Sequence, residues 1–100
     1  MRVTPEYRAL HDVLLQAVEQ AQDGKGKERH ARDGQPFDVQ LIVRLGEELG
    51  STHGEIFQVC KKSIESARLP YERARAELLG AINYAAAAVI VLDRLHEERR

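Results

Sequence analysis

Basic side chains are concentrated in one short segment of the sequence. The stretch GKGKERHARDG starts at Gly24, has no apolar periodicity and predicts a loop over residues 24–35. Backbone N–H groups beside glycine, together with Lys and Arg side chains, are groups that proteins use to bind phosphate. An ordinary solvated loop has a similar composition, so that alternative stays open. The residues predicted to bind phosphate are Lys25, Lys27, Arg29 and Arg32.

Two glutamates fall on helix faces where apolar residues are expected. A helical projection places Glu48 among leucines of one predicted helix and Glu77 among alanines of another. Inward carboxylates on separate helices are how helical bundles bind divalent metals, and Mg²⁺ prefers carboxylate oxygens. We therefore predict a Mg²⁺ site formed by Glu48 and Glu77. The alternative is ion pairing with Arg44 and Arg73, each four residues earlier on its helix.

Length and composition limit what this chain can be. One hundred residues, 43% hydrophobic and 31% charged, predict a single domain over residues 1–100. The net charge of −1 excludes a global attraction to nucleic acid or anionic lipid, so an anion site must be local. The single cysteine, Cys60, excludes an intramolecular disulfide and favours a reducing compartment. The polar N-terminus and short apolar runs predict a soluble cytoplasmic protein with no membrane contact.

Start and stop signals divide the chain into helices, and no segment alternates as a strand would. Thr4 and Pro5 predict the start of the first helix, and Gly24 its end. The second helix is predicted to begin at Pro36 and to end at Gly50, which would adopt a left-handed cap.

The third and fourth helices follow from a capping pattern and a proline. Thr52 and Glu55 form the S/T-x-x-E pattern of a capping box, and Pro70 ends the third helix. The last helix then extends over residues 71–98, roughly 42 Å at ~1.5 Å per residue. The sequence therefore predicts an all-α domain of four helices with a long C-terminal helix. The buried stripe predicted for the third helix is Ile56, Cys60, Ile64 and Ala67.

The long C-terminal helix is apolar on two opposite sides, which three other helices of a small domain would struggle to cover. One side carries Ala74, Leu78, Ala81, Ala85, Ala88, Leu92 and Leu95; the other carries Leu79, Asn83, Ala86, Ala87 and Ile90. We therefore expect a homodimer or a higher oligomer formed through this helix. Asn83 is predicted to pair with its symmetry mate and to set the register, an interpretation favoured over an intrachain partner.

A helix-turn-helix interpretation competes for residues 45–62, LGEELGSTHGEIFQVCKK. Leucines precede Gly50, and Ile56 and Val59 follow it, at the spacing of that motif. Glu55 near the start of the reading helix and the near-neutral net charge disfavour strong DNA binding. A DNA-binding regulator and a partner-binding dimer without a ligand are therefore the alternative functions.

Three stretches carry a resemblance to known proteins. GKGKERH at 24–30, KKSIES at 61–66 and AELLGAINYAAAAVIVL at 76–92 resemble small helical proteins encoded by phages and prophages. The last stretch is also similar, more distantly, to a helix of the MazG-like all-α nucleoside triphosphate pyrophosphohydrolases. That group binds Mg²⁺ with ExxE and ExxD motifs; Glu77 matches the first position of ExxD, and Gly80 replaces its Asp. The resemblance implies nucleotide binding, with Mg²⁺-dependent pyrophosphate hydrolysis as its enzymatic extension.

Overall fold

A computed structural model describes residues 1–24 and 34–99 of the chain. Within these ranges the secondary structure is helical, with no strand. The predicted all-α fold with a long C-terminal helix is therefore confirmed. The four α-helices are α1 (Arg8–Asp23), α2 (Leu41–Leu49), α3 (His53–Ser66) and α4 (Tyr71–Glu98), and short 3₁₀ turns at Pro5–Tyr7 and Phe37–Val39 precede α1 and α2.

The predicted end of the first helix at Gly24 is confirmed, whereas at its start a 3₁₀ turn over Pro5–Tyr7 precedes the α-helix, which begins at Arg8. The chain turns into the 3₁₀ segment where the Tyr7 amide donates to the Thr4 carbonyl at 3.0 Å, with Pro5 in the first turn. Thr4 contributes its backbone only, because its side chain makes no capping hydrogen bond. At the other end the Gly24 amide donates to the Gln20 carbonyl at 2.9 Å.

The second α-helix begins later than predicted, at Leu41 instead of Pro36. Gln40 is extended, with φ −74° and ψ 162°, so it separates the preceding 3₁₀ turn from α2. Its side-chain amide donates to the Gln35 carbonyl at 2.9 Å, which stabilises this break. The predicted end is confirmed, because Gly50 has a left-handed φ of 67°.

The buried core lies where α2 meets α4. The other three helices all contact α4, and α3 does so most extensively. Ile42 and Val43 of α2 pack with Ala87 and Val91 of α4. The half-buried side chains around this cluster are Phe37, Tyr84, Ile90 and Leu95.

Amide side chains connect α1 to α4. Asn83 Nδ2 donates to the Ala17 carbonyl at 3.0 Å, and Gln20 Nε2 donates to the Ala76 carbonyl at 3.0 Å. The predicted pairing of Asn83 with its symmetry mate is therefore wrong, because its donor is used inside the chain. The alternative of an intrachain partner is the one observed.

Arg94 connects α4 to the segment that precedes α2. Its guanidinium donates to a side-chain oxygen of Asp38 at 2.7 Å and to the Asp38 carbonyl at 2.6 Å, and it also pairs with Glu47. These contacts raise the pKa of Arg94, and the hydrogen bond to Glu47 is the largest cause. The 3₁₀ turn that carries Phe37 is thereby held against α4.

The apolar stripe predicted for the inner face of α3 lies on its outer face. Ile56, Cys60, Ile64 and Ala67 are exposed, so their predicted burial, including that of the thiol, is wrong. The Lys62–Glu77 ion pair turns the opposite, polar face of α3 toward α4. The inner face instead carries Glu55, Val59, Lys62 and Ser66.

Glu55 enters the interior instead of capping its helix. Thr52 makes no side-chain capping bond, and Ser51 Oγ accepts from the His53 amide at 3.0 Å, so the predicted capping box does not form. Glu55 is 4% exposed, and its Oε1 has no hydrogen-bond partner among the described residues. That oxygen lies against Gly46 of α2, where the missing Cβ leaves it room.

By length and composition alone, α4 could also cross a membrane. A helix at the centre of a small domain has the same two properties. In the described ranges one face of α4 is used inside the fold, where it contacts α1, α2 and α3. The cytoplasmic location therefore stays a prediction.

Replacing Gly46 tests the close approach of α2 to its neighbours. In Gly46→Ala the new Cβ would overlap Glu55 Oε1 and lie 2.8 Å from Val91 Cγ2, so the helices must shift. We expect the free energy of unfolding to fall by ~1–3 kcal/mol, the usual cost of overpacking. Urea denaturation measures it.

Gly54 of α3 provides the matched control. A Cβ at Gly54 meets nothing within 4 Å. Gly54→Ala should therefore stabilise the chain by about 0.5–1 kcal/mol, the ordinary gain from replacing a helical glycine. Equal effects of the two substitutions would contradict the packing described for Gly46.

Replacing Glu55 tests the cost of its unpartnered oxygen. Glu55→Met keeps similar volume and removes the buried carboxylate, so the free energy of unfolding should rise by ~1–3 kcal/mol. Glu65→Met, an exposed glutamate of the same helix, should stay within about 0.5 kcal/mol of the parent. A clear loss of stability in Glu55→Met would show that the carboxylate has a stabilising partner.

Candidate ligand-binding cleft

A cleft of about 490 Å³ opens between α1, α3, α4 and the segment before α2. Its size lies within the roughly 300–1,000 Å³ typical of small-molecule sites. The polar and aromatic side chains of its lining belong to four groups, namely cations, a carboxylate, aromatic rings and amides. They are Lys62, Arg73, Glu77, Phe37, Tyr84, Gln20, Gln40 and Asn83.

An ion pair between α3 and α4 forms one wall of the cleft. Lys62 Nζ lies 3.3 Å from Glu77 Oε2, with side-chain exposures of 13% and 29%. The same ammonium lies 5.7 Å from the centroid of the Tyr84 ring, within the distance of a cation–π interaction. These contacts restrain the Lys62 side chain at the cleft wall.

Arg73 is the second cation of the cleft. It is exposed on the first turns of α4, and no ion pair is observed for it within residues 1–24 and 34–99. With Lys62 and Glu77, it gives the described lining a formal charge of +1. Its guanidinium is available to an anion that enters the cleft.

Two aromatic rings and three amides complete the polar and aromatic lining. Phe37 and Tyr84 are half-buried, and both pack against the core cluster. Gln20 and Asn83 are already oriented by their hydrogen bonds across the α1–α4 contact. Such a combination can stack a planar ring and offer hydrogen bonds to its edge.

Gly80 explains how the Lys62 side chain lies so close to α4. A Cβ at Gly80 would sit 3.3 Å from Lys62 Cδ and 3.4 Å from Cε, which is a tight contact. The residue that departs from the ExxD motif thus makes room for the lysine stem. In this fold the absence of a side chain at Gly80 leaves space for the Lys62 side chain at the cleft wall.

The four predicted phosphate-binding residues lie outside the described residues. Lys25, Lys27, Arg29 and Arg32 all fall within 25–33. The residue just before this segment, Gly24, lines the cleft, as does Phe37 shortly after it. The phosphate role of the four side chains stays a prediction.

The predicted metal pair is not brought together. Glu48 is exposed, on the side of α2 opposite its buried residues, and it pairs with Arg44 at 3.6 Å. Its predicted inward orientation is wrong, because Ile42, Val43 and Gly46 form the inner face of α2. Glu77 does line the cleft, but Lys62, not Arg73, is its partner.

These carboxylates do not fit a shared Mg²⁺ site. Glu77 lines the cleft and is engaged by a lysine, whereas Glu48 is not part of the lining. Among the described residues no group of three or more His, Cys, Asp or Glu side chains is placed to hold a metal ion. No reaction step is therefore derived through a metal.

The sequence does not indicate that most of the cleft residues share one site. Lys62 and Tyr84 fall in two of the stretches quoted for the resemblance, and Arg73 precedes Glu77 by four residues, but no sequence pattern relates them to one another or to Phe37. These residues come from separate helices and from the segment before α2, so helical periodicity cannot relate them.

No family model, curated protein or solved structure matches this chain.

A double-mutant cycle tests whether the wall of the cleft is a coupled pair. For Lys62→Met and Glu77→Gln we expect a coupling of ~1 kcal/mol in the free energy of unfolding, because the pair is partly shielded from water. The exposed Arg44–Glu48 pair, with side-chain exposures of 55% and 63%, is the control and should couple by less than about 0.5 kcal/mol. Equal coupling in both cycles would mean that the cleft pair is as hydrated as a surface pair.

Proposed function

We propose that this protein binds a phosphorylated small molecule that carries a planar ring, and that a nucleotide fits the cleft best. The observation that carries the proposal is the presence of Lys62, Arg73, Phe37 and Tyr84 in the lining of one cleft. Cationic side chains supply phosphate contacts, and aromatic rings supply stacking surface for a base.

The electrostatics of the cleft favour an anion, and Glu77 limits the effect. Lys62 and Arg73 attract phosphate, whereas the Glu77 carboxylate partly neutralises Lys62. Because Arg73 has no ion-pair partner in the described ranges, phosphate binding at its guanidinium displaces no ion pair among those residues. The amides of Gln20, Gln40 and Asn83 are suited to the polar edge of the ring or the sugar.

The basic segment is proposed to contribute further phosphate contacts. The position of Gly24 in the cleft lining supports this role for Lys25, Lys27, Arg29 and Arg32, which follow it in sequence. Binding is supported better than hydrolysis, since the two predicted metal ligands do not share a site. Pyrophosphate hydrolysis with Mg²⁺ is therefore tested as an added activity and is not assumed.

Titration calorimetry with ATP, pyrophosphate and adenosine tests the proposal. ATP should bind most tightly, because only ATP offers both phosphate and a planar base, and each measurement is repeated with Mg²⁺. Arg73→Gln should weaken ATP binding by ~10–100-fold, since a charge-assisted hydrogen bond contributes about 1.5–3 kcal/mol. Glu77→Gln should tighten it, because the variant removes a negative charge beside Lys62.

Arg68→Gln is the matched control for this experiment. Arg68 is an exposed arginine near the end of α3 and is not part of the lining of the cleft. Its loss should leave ATP affinity unchanged. If ATP and pyrophosphate both fail to bind, or if Arg68→Gln weakens binding as much as Arg73→Gln, the cleft is not the phosphate site.

One observation favours the DNA-binding alternative. Residues 50–52 join α2 to α3, and Gly50 has the left-handed conformation that suits the short turn of a helix-turn-helix. The exposed residues of α3, however, include Ile56, Phe57 and Ile64, and Lys61 is the exposed cation among them that could contact phosphate. Duplex binding by a protein that does not bind ATP would favour this alternative. A partner-binding dimer without a ligand would bind neither.

A further inference from the structure

The outward face of α4 carries an apolar stripe that is exposed except at Ile82, which is half-buried. Leu78, Val89 and Leu92 are 47%, 58% and 60% exposed. The opposite face of the same helix carries Ala87 and Val91, which are fully buried. The stripe is made of Leu78, Ile82, Ala85, Val89 and Leu92, and it differs from the stripe predicted from sequence, whose Ala81 is buried.

The spacing of this stripe is that of a coiled-coil seam. Its residues follow one another at intervals of four, three, four and three, which is the a/d pattern of a heptad repeat. The β-branched residues Ile82 and Val89 take the a positions, and Leu78, Ala85 and Leu92 take the d positions. β-branched residues at a with leucine at d favour two parallel strands.

The residues beside the stripe allow a second helix to approach closely. Ala86 is exposed and Ala88 is half-buried beside the stripe, so these two flanking positions add little side-chain volume between two backbones. The stripe itself contains no charged residue, and therefore pairing it with a copy of itself brings no like charges together. A face of this kind is complementary to itself, as the interface of a symmetric dimer requires.

The exposed area is large enough for such an interface. The chain exposes 7476 Å², whereas a compact monomer of 11.3 kDa is expected to expose about 5,700 Å². Half of the difference between these two areas is close to the ~800 Å² that each partner buries in a standard protein interface. The exposed side chains of the α4 stripe contribute to this difference, as do exposed apolar side chains of α1 and α3.

We propose that two copies of this chain associate in parallel through the α4 stripe, with the two α4 helices forming a two-stranded coiled coil. The inner face of α4 keeps its contacts with α1, α2 and α3. The ligand cleft takes no part in this contact, because Glu77, Gly80 and Tyr84 lie on a different side of α4.

Sedimentation equilibrium over a range of concentrations tests the association. The wild-type chain should reach twice the 11.3 kDa mass of one chain. Leu92→Glu places two carboxylates against each other in the seam and should weaken association by at least ~100-fold. Leu49→Glu introduces the same charge at an exposed leucine of α2 and should leave association unchanged.

Cross-linking tests the parallel orientation. In a Cys60→Ser background, Val89→Cys places one thiol from each copy at the same level of the seam, so oxidised glutathione should join the two chains by a disulfide. Ala67→Cys, on the exposed face of α3, is the control and should not cross-link at the same protein concentration. A dimer in which the thiol introduced at position 89 forms no bond would overturn the parallel arrangement.

A wild-type chain that stays monomeric at all concentrations would overturn the proposal. If that monomer also binds phosphatidylcholine vesicles and Leu92→Glu abolishes the binding, the stripe faces lipid instead of a second copy. Loss of association in Leu49→Glu to the same degree as in Leu92→Glu would place the interface elsewhere.

Discussion

The ion pair between Lys62 and Glu77 joins the polar face of α3 to α4. If the apolar residues of α3 faced inward, Ile56 and Ile64 would pack on α4 and Lys62 would lie near the surface. Instead the ion pair and the buried Glu55 carboxylate place a polar face inside. Desolvating these groups is costly, and the short distance to Glu77, together with the proximity of the Tyr84 ring, offsets part of that cost for Lys62.

The cleft and the apolar stripe, for which we propose functions, lie on different sides of α4. A polar inner face on α3 leaves a cleft beside α4 that an apolar face would have filled by packing. The core is then confined to the α2–α4 contact, around Val43 and Val91, and α4 retains an apolar stripe toward solvent. A nucleotide and a second copy of the chain would occupy different sides of one helix, so the two proposals can succeed or fail independently.

Local patterns predicted the elements well, because each depends on neighbours in the sequence. Pro70 and the unbroken helical composition after it were sufficient for the bounds of α4, and Gly50 for the end of α2. The start of α2 was wrong because Gln40 is held extended by a side-chain hydrogen bond to Gln35. The capping box does not form because the Glu55 side chain is buried against Gly46, where no Cβ occupies the space.

The sequence by itself determined that this protein is helical and approximately where its four helices begin and end. It also determined that α4 has more apolar surface than one small core can bury. Only the tertiary structure decided which faces are buried, that Glu48 points outward, and that Lys62 and Arg73 share a cleft with Phe37 and Tyr84. Helix ends depend on hydrogen bonds over a few residues, whereas the rotation of one helix against another depends on contacts between residues far apart in the chain.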